Sequence, residues 1–177
     1  NLEAKGKNRP CKQPIDERVL NSISKICTES EETDMLALLE SIRQTLEIAP
    51  ISNEYHAIVP GVITGTYRNL GGILSSEQIE KAIVRGARIQ EGWCGMGEAC
   101  GAALGVGVAF EAILKAENPQ CPPKSSTMLI TQEILPTVAR CEEDCDCYKE
   151  SKLCLQKAAK LSEKHLKLKL QANHWQP

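Results

Sequence analysis

The stretch Glu98-Ala99-Cys100-Gly101-Ala102-Ala103-Leu104-Gly105-Val106-Gly107-Val108-Ala109-Phe110-Glu111-Ala112-Ile113-Leu114-Lys115-Ala116 carries the strongest fold signal in the chain. Gly97, Gly101, Gly105 and Ala109 recur at steps of four, so a helix here shows one face almost without side chains. Glycine inside a helix costs up to about 1 kcal/mol relative to alanine, and close approach of a neighbouring backbone is the expected compensation. The segment is too short to span a bilayer and carries Glu111. It reads as a central, buried helix of a soluble protein.

Helical spacing extends outward on both sides. Ile15, Val19, Ile23 and Ile26 predict a first amphipathic helix to about Cys27. Met35, Leu38, Leu39, Ile42 and Leu46 predict a second, with Ser30 or Thr33 as its cap and Pro50 as its stop. Tyr55 to Leu70 forms a third, interrupted near Pro60-Gly61 and closed by Gly71-Gly72. Ser75-Ser76-Glu77-Gln78 supplies a capping box for a helix bearing Ile79, Ile83 and Ile89. Beyond the Gly/Ala segment, a loop with Pro119, Pro122 and Pro123 precedes Thr127 to Ala139, where Pro136 should introduce a kink. A last helix runs from about Asp144 to Gln171, with Cys147, Ser151, Cys154, Ala158, Leu161 and Leu168 in its inward stripe. No hairpin signal and no period-2 run is present. The expected fold is all-α: a compact bundle of about seven helices around the Gly/Ala helix. Residues 1–14 form a flexible segment and 15–177 a single all-helical domain.

Composition narrows the function. The 177 residues carry a net charge of −2, from 21 Lys+Arg and 23 Asp+Glu, which gives no basic field for nucleic acid or an anionic membrane. One Phe, two Trp and three Tyr stand against nine Cys, so the core must close through aliphatic and small side chains. Asn1 to Pro14 holds no apolar run resembling a signal peptide, and the expected compartment is the cytoplasm. A reducing interior makes disulfides the less favoured use of the thiols, and metal, cluster or thiol chemistry gains accordingly.

Two cysteine groups stand out. Cys94 lies in the turn Glu91-Gly92-Trp93-Cys94-Gly95-Met96-Gly97, and Cys100 in the first turn of the small-residue helix. Unpaired N–H groups at a helix N-terminus stabilise a thiolate, and flanking glycines let the backbone wrap closely around a bound group. Thiolates with N–H donors are what an iron–sulfur site needs. Cys141, Cys145 and Cys147 form the second group, interleaved with Glu142, Glu143, Asp144 and Asp146. Most of those acids are read as complements to the helix dipole. Cys154 lies two turns beyond Cys147, about 10 Å along the axis and too far to share a metal with it, and so reads as core packing. Cys11, Cys27 and Cys121 read as isolated small hydrophobes. His56, at the head of an apolar helix, is the candidate fourth ligand beside three thiolates. Arg68, Arg85 and Arg88 flank the region, and Arg68 and Arg85 are candidates to hold an anionic substrate.

Tyr55-His56-Ala57-Ile58-Val59-Pro60, Arg85-Gly86 and Cys94 to Gly107 together resemble a family of unassigned activity found in anaerobic archaea and bacteria. Some of its members carry this domain behind a methyltransferase-like domain. Its closing cysteine pair is similar to Cys145-Asp146-Cys147-Tyr148-Lys149-Glu150-Ser151, and the likeness spans roughly His56 to Ala159. The resemblance implies a functional set of His56, Cys94, Cys100 and Cys147, with Cys145 replacing or assisting Cys147. This chain departs from the pattern where Asp146 splits the final pair, and at Ala116-Glu117-Asn118-Pro119, where the family has a more hydroxylated turn.

The leading expectation is therefore a metal or iron–sulfur site of Cys94, Cys100 and Cys147 with His56 or Cys145, serving redox or sulfur chemistry in anaerobic metabolism; zinc is the alternative metal. A metal-free dithiol module in which Cys94 or Cys100 exchanges with Cys147 is the second reading. A helical domain with structural zinc supporting a methyltransferase-like partner is the third.

Overall fold

The computed structural model describes residues 14–89, 99–120, 124–141 and 146–173. Cys94 and Cys145 lie outside them. Among the described residues seven helices form and no strand: α1 (Glu17–Glu29), α2 (Met35–Thr45), α3 (Glu54–Asn69), α4 (Ser76–Ala87), α5 (Gly101–Glu117), α6 (Lys124–Ala139) and α7 (Cys147–His165). The all-α expectation holds. None of these helices is long and apolar enough to cross a membrane.

Local chemistry fixes most helix starts. The Asp16 carboxylate accepts from the Arg18 amide at 2.8 Å and opens α1. The Ser75/Gln78 capping box opens α4 as its sequence predicts. At α2 the cap is Asp34, not Ser30 or Thr33: its Oδ1 accepts from the Leu36 and Ala37 amides. Ser30 is instead committed to closing α1, its amide donating to the Ile26 carbonyl at 2.9 Å. The second carboxylate oxygen of Asp34 accepts from the Asn173 amide, so this cap also anchors the C-terminal segment in an isolated parallel bridge with Gln171. That return explains why α7 stops at His165 rather than near Gln171. Ser162 Oγ takes the Leu170 amide and turns the chain back.

Helix α3 is buried without interruption from Tyr55 to Tyr67 and packs against α1, α2, α4, α5 and α7. Helix α5 packs against α3, α4, α6 and α7 and is buried from Gly101 to Phe110 except at Leu104 and Val108. Contrary to the sequence expectation, α3 continues through Pro60. The proline removes the N–H that would bond the His56 carbonyl, and two glycines close on that oxygen instead. A Cβ at Gly86 of α4 would lie 2.2 Å from it, and one at Gly105 of α5 would lie 3.4 Å away. Three helices therefore meet at His56 because two of them have no side chain there. Tyr55, Tyr67 and Phe110 are fully buried, with aliphatic residues filling the rest of the core.

Candidate thiol site

Cys100, Cys154, Glu150 and His56 lie where the N-terminus of α5 faces α3 and α7. Gly101 sits on the His56 ring so closely that a Cβ there would be 2.1 Å from Nε2. Burial holds the imidazole below its ordinary pKa of 6.5, opposed by a hydrogen bond from the ring to the Ile89 carbonyl. His56 is therefore neutral at pH 7, with one ring nitrogen donating and the other an acceptor.

Cys100 is the N-cap residue of α5. Its Sγ–H donates to Oε2 of Glu150 at 3.4 Å, in a buried contact across to α7. Its thiol is held below the ordinary value, first because the Cys154 thiol hydrogen-bonds to its sulfur. The Ala102 and Ala103 amides, which face the sulfur without a formed cap bond, act in the same direction. Burial and the nearby Glu150 charge oppose them. Cys154 moves the opposite way, well above its ordinary value, because it is the donor of that pair and is fully buried. Cys100 keeps 9% of its surface and Cys154 none, so the more acidic thiol is also the more accessible one. Both are free.

The N-terminal end of α7 is held firmly. Asp146 caps α7, its carboxylate accepting from the Lys149 amide at 2.7 Å. The Tyr148 amide donates to the Pro50 carbonyl at 3.0 Å, and the Tyr148 hydroxyl donates to Glu40 of α2 at 2.5 Å. Arg43, hydrogen-bonded to Glu40, lies over the Tyr148 ring with its guanidinium 4.9 Å from the centroid, and holds the Glu40 carboxyl down at about 2. These contacts fix the inward face of α7, on which Cys147, Glu150, Ser151 and Cys154 are all buried. Tyr55, fully buried next to His56, has a hydroxyl with no hydrogen-bond partner, and burial pushes its pKa up.

Of the residues proposed from sequence, His56, Cys100 and Cys147 thus belong to one neighbourhood. Arg68 does not. It lies twelve residues along α3 from His56, about 18 Å away, and donates to the Thr28 carbonyl at 2.7 Å. Arg85 is paired with Glu111 at 2.5 Å on the far side of α5. Cys27 is core packing as expected, and burial pushes its thiol up to about 12. Cys141 is disulfide-bonded, against the expectation that the thiols stay reduced. Sequence reasoning missed Glu150 and the bearing of Cys154 on Cys100. Cys154 is core packing as expected, fully buried in the apolar cluster, and its thiol also bears on Cys100. The overlooked signal was a glutamate among the inward residues of α7, one turn before Cys154. Among the described residues no group of three or more His, Cys, Asp or Glu is arranged to hold a metal ion.

A protein-family model matches residues 23–176, which takes in every helix except the start of α1. The chain belongs to DUF5714, a family of unknown function. No curated protein and no solved structure matches it. The DUF5714 match reaches from before Cys27 to beyond α7, so the thiol neighbourhood lies wholly inside it.

Proposed function

We propose that this DUF5714 protein is a dithiol–disulfide redox module whose working pair is Cys100 and Cys154. The observation that carries the reading is two buried free thiols, one at the N-terminus of α5 and one on α7, shifted in opposite directions, with Glu150 Oε2 3.4 Å from the sulfur of the more exposed one. That asymmetry is what exchange requires. A low-pKa thiolate attacks, and a protonated neighbour waits to resolve the mixed disulfide. The Cys100 thiolate attacks one sulfur of a substrate disulfide, forming an S–S bond while the substrate's S–S bond breaks. The first leaving thiolate takes the proton that Cys100 released. Cys154 then passes its proton to Glu150, and its sulfur attacks Cys100 Sγ. The second substrate thiolate leaves and takes that proton. The protein dithiol loses two electrons and two protons, and the substrate disulfide gains both.

Peptide mapping by mass spectrometry after mild oxidation with glutathione disulfide tests the pair. The expected product is a reversible loss of two hydrogens joining the Cys100 and Cys154 peptides. A scatter of mixed disulfides, or no link between these residues, would overturn it.

A second reading keeps the thiolates on a metal. It is favoured by the neutral, buried imidazole of His56, which has no part in the exchange step. Cys94, Cys100 and Cys147, with His56 or Cys145, would hold zinc or an iron–sulfur cluster, Cys94 and Cys145 lying outside the described residues, and the group would supply electron transfer or a Lewis acid. Iron, zinc and sulfide analysis after anaerobic purification of the native chain and of Cys94→Ser separates the two readings. If chelation unfolds the protein, the metal is structural, as a domain supporting a methyltransferase-like partner would require.

A further inference from the structure

Among the described residues, a groove of about 440 Å³ runs along the far side of α5, between the end of α4 and α6. Its walls are largely apolar, with Ile89, Leu104, Val108, Met128 and Leu135 among them. That volume suits a small molecule rather than a protein segment. The residues α5 contributes, Leu104, Gly107, Val108 and Glu111, lie four, seven, eight and eleven positions after Cys100. They are therefore one stripe of the helix that begins at the candidate redox thiol and extends about 16 Å from it. The inner end of the groove touches the thiol neighbourhood twice. Ile89 lines it and also accepts the His56 hydrogen bond, and the Leu104 amide donates to the Cys100 carbonyl at 3.1 Å.

The charges sit at the other end. Glu111 is shared between Arg85 Nη2 at 2.5 Å and Lys115 Nζ at 2.6 Å, so among the described residues two cations flank one anion at this end. Arg85 has five donors in a planar fork, and Glu111 engages one nitrogen of it. The remaining donors match a second carboxylate, the planar anion that such a fork recognises best. A ligand without an apolar body would gain nothing from these walls, and a cation would face Arg85 and Lys115 directly.

We propose that this groove binds a molecule consisting of an apolar chain that ends in a carboxylate, with the carboxylate on Arg85 and the chain directed along α5 toward Cys100. Such a molecule, when its chain carries a disulfide at the end away from the carboxylate, is the substrate class of the thiol site. That link rests on the dithiol reading, whereas the binding itself does not.

Calorimetric titration of the full chain with decanoate, decylammonium and decanol is the test. Decanoate should bind saturably at one site, at least about tenfold more tightly than decylammonium, since like charges in contact oppose the latter. Arg85→Glu should reverse that order, and Arg85→Lys should weaken decanoate less than Arg85→Glu does. Val108→Trp, which fills the groove from its α5 wall, should abolish decanoate binding while the helical circular dichroism is retained. Cys100→Ser should bind decanoate as the native chain does. Equal or unsaturable binding of decanoate and decylammonium would overturn the site. Bound decanoate should also slow iodoacetamide alkylation of Cys100 several-fold; normal binding with unchanged alkylation would overturn the link to the thiols while leaving the groove standing.

Discussion

Cys27 and Cys100 are both buried cysteines against the same central helix, yet their surroundings drive them in opposite directions. Cys27 sits inside α1, in its last turn, packed on Gly61 and Gly65 of α3, and burial pushes its thiol up to about 12 against the opposing Arg68 charge. Cys100 caps α5, receives a hydrogen bond from Cys154 and faces two amides, and its thiol is held down. Burial disfavours a thiolate in both places. What reverses the outcome at Cys100 is a set of donors aimed at the sulfur, which a position inside the helix cannot supply because its amides are already bonded along the helix. The lesson is that burial by itself does not set the direction of a thiol's shift; the donors aimed at its sulfur do.

The largest effect expected from this contrast is in native-state alkylation. Near pH 8, Cys100 should react while Cys27 does not, since a thiol at about 12 rather than 9.0 has about a thousandfold less thiolate. Mass-spectrometric time courses check this, and similar rates at the two positions would remove the distinction. Alkaline titration sharpens it. The Cys27 thiol is raised in the folded state, so the unfolded chain loses its proton first, and this group's contribution to stability falls as the pH rises above 9.0.

Adding a methyl to the glycine beside each pocket should also separate them. Gly101→Ala places its Cβ on the His56 ring, 2.1 Å from Nε2, and should lower stability by about 2–3 kcal/mol in urea unfolding. Gly61→Ala meets only the Cys27 sulfur and the tip of Ile83 at about 2.9 Å, and should cost about 1 kcal/mol. The reverse ranking would mean that the His56 pocket is the softer of the two.

Cys154→Ala should slow Cys100 alkylation at pH 7 by about tenfold, the size expected when a charged sulfur loses a hydrogen bond. Cys154→Ser keeps a donor and should restore most of the rate; equal loss in both variants would assign Cys154 to packing. Acid should act on the same end of the molecule. His56 has a lowered pKa in the folded state, so the unfolded chain protonates first, and stability should fall as the pH drops below 6.5. His56→Gln should flatten that part of the pH–stability curve. The smallest effect belongs to the α7 cap: Asp146→Ala should cost about 1 kcal/mol of stability and leave Cys27 chemistry untouched.

Much of the fold was legible because helix formation here is local. The Ser75 capping box, the apolar spacing of α1 and α2 and the end of α6 at Ala139 all follow from contacts within a few residues. The departures share one cause. Pro60 does not break α3, because Gly86 and Gly105, from elsewhere in the chain, close on the carbonyl that it frees. Asp34 displaces Ser30 as the α2 cap because Asn173 and Gln171 return to it. In each case a partner distant in sequence outweighed the local preference.

The site divides in the same way. His56, Cys100 and Cys147 stood out in the sequence through residue type and position at helix starts. Glu150 and Cys154 did not, because only the packing of α7 against the N-terminus of α5 brings them to Cys100. By itself the sequence determined an all-helical chain, the small-residue faces that let its helices meet, and a neighbourhood in which thiols would gather. Tertiary structure alone decided which groups surround each thiol and so which way its acidity moves. A thiol's proton affinity depends on donors and charges within a few ångströms, and those are contributed here by helices some fifty residues apart along the chain.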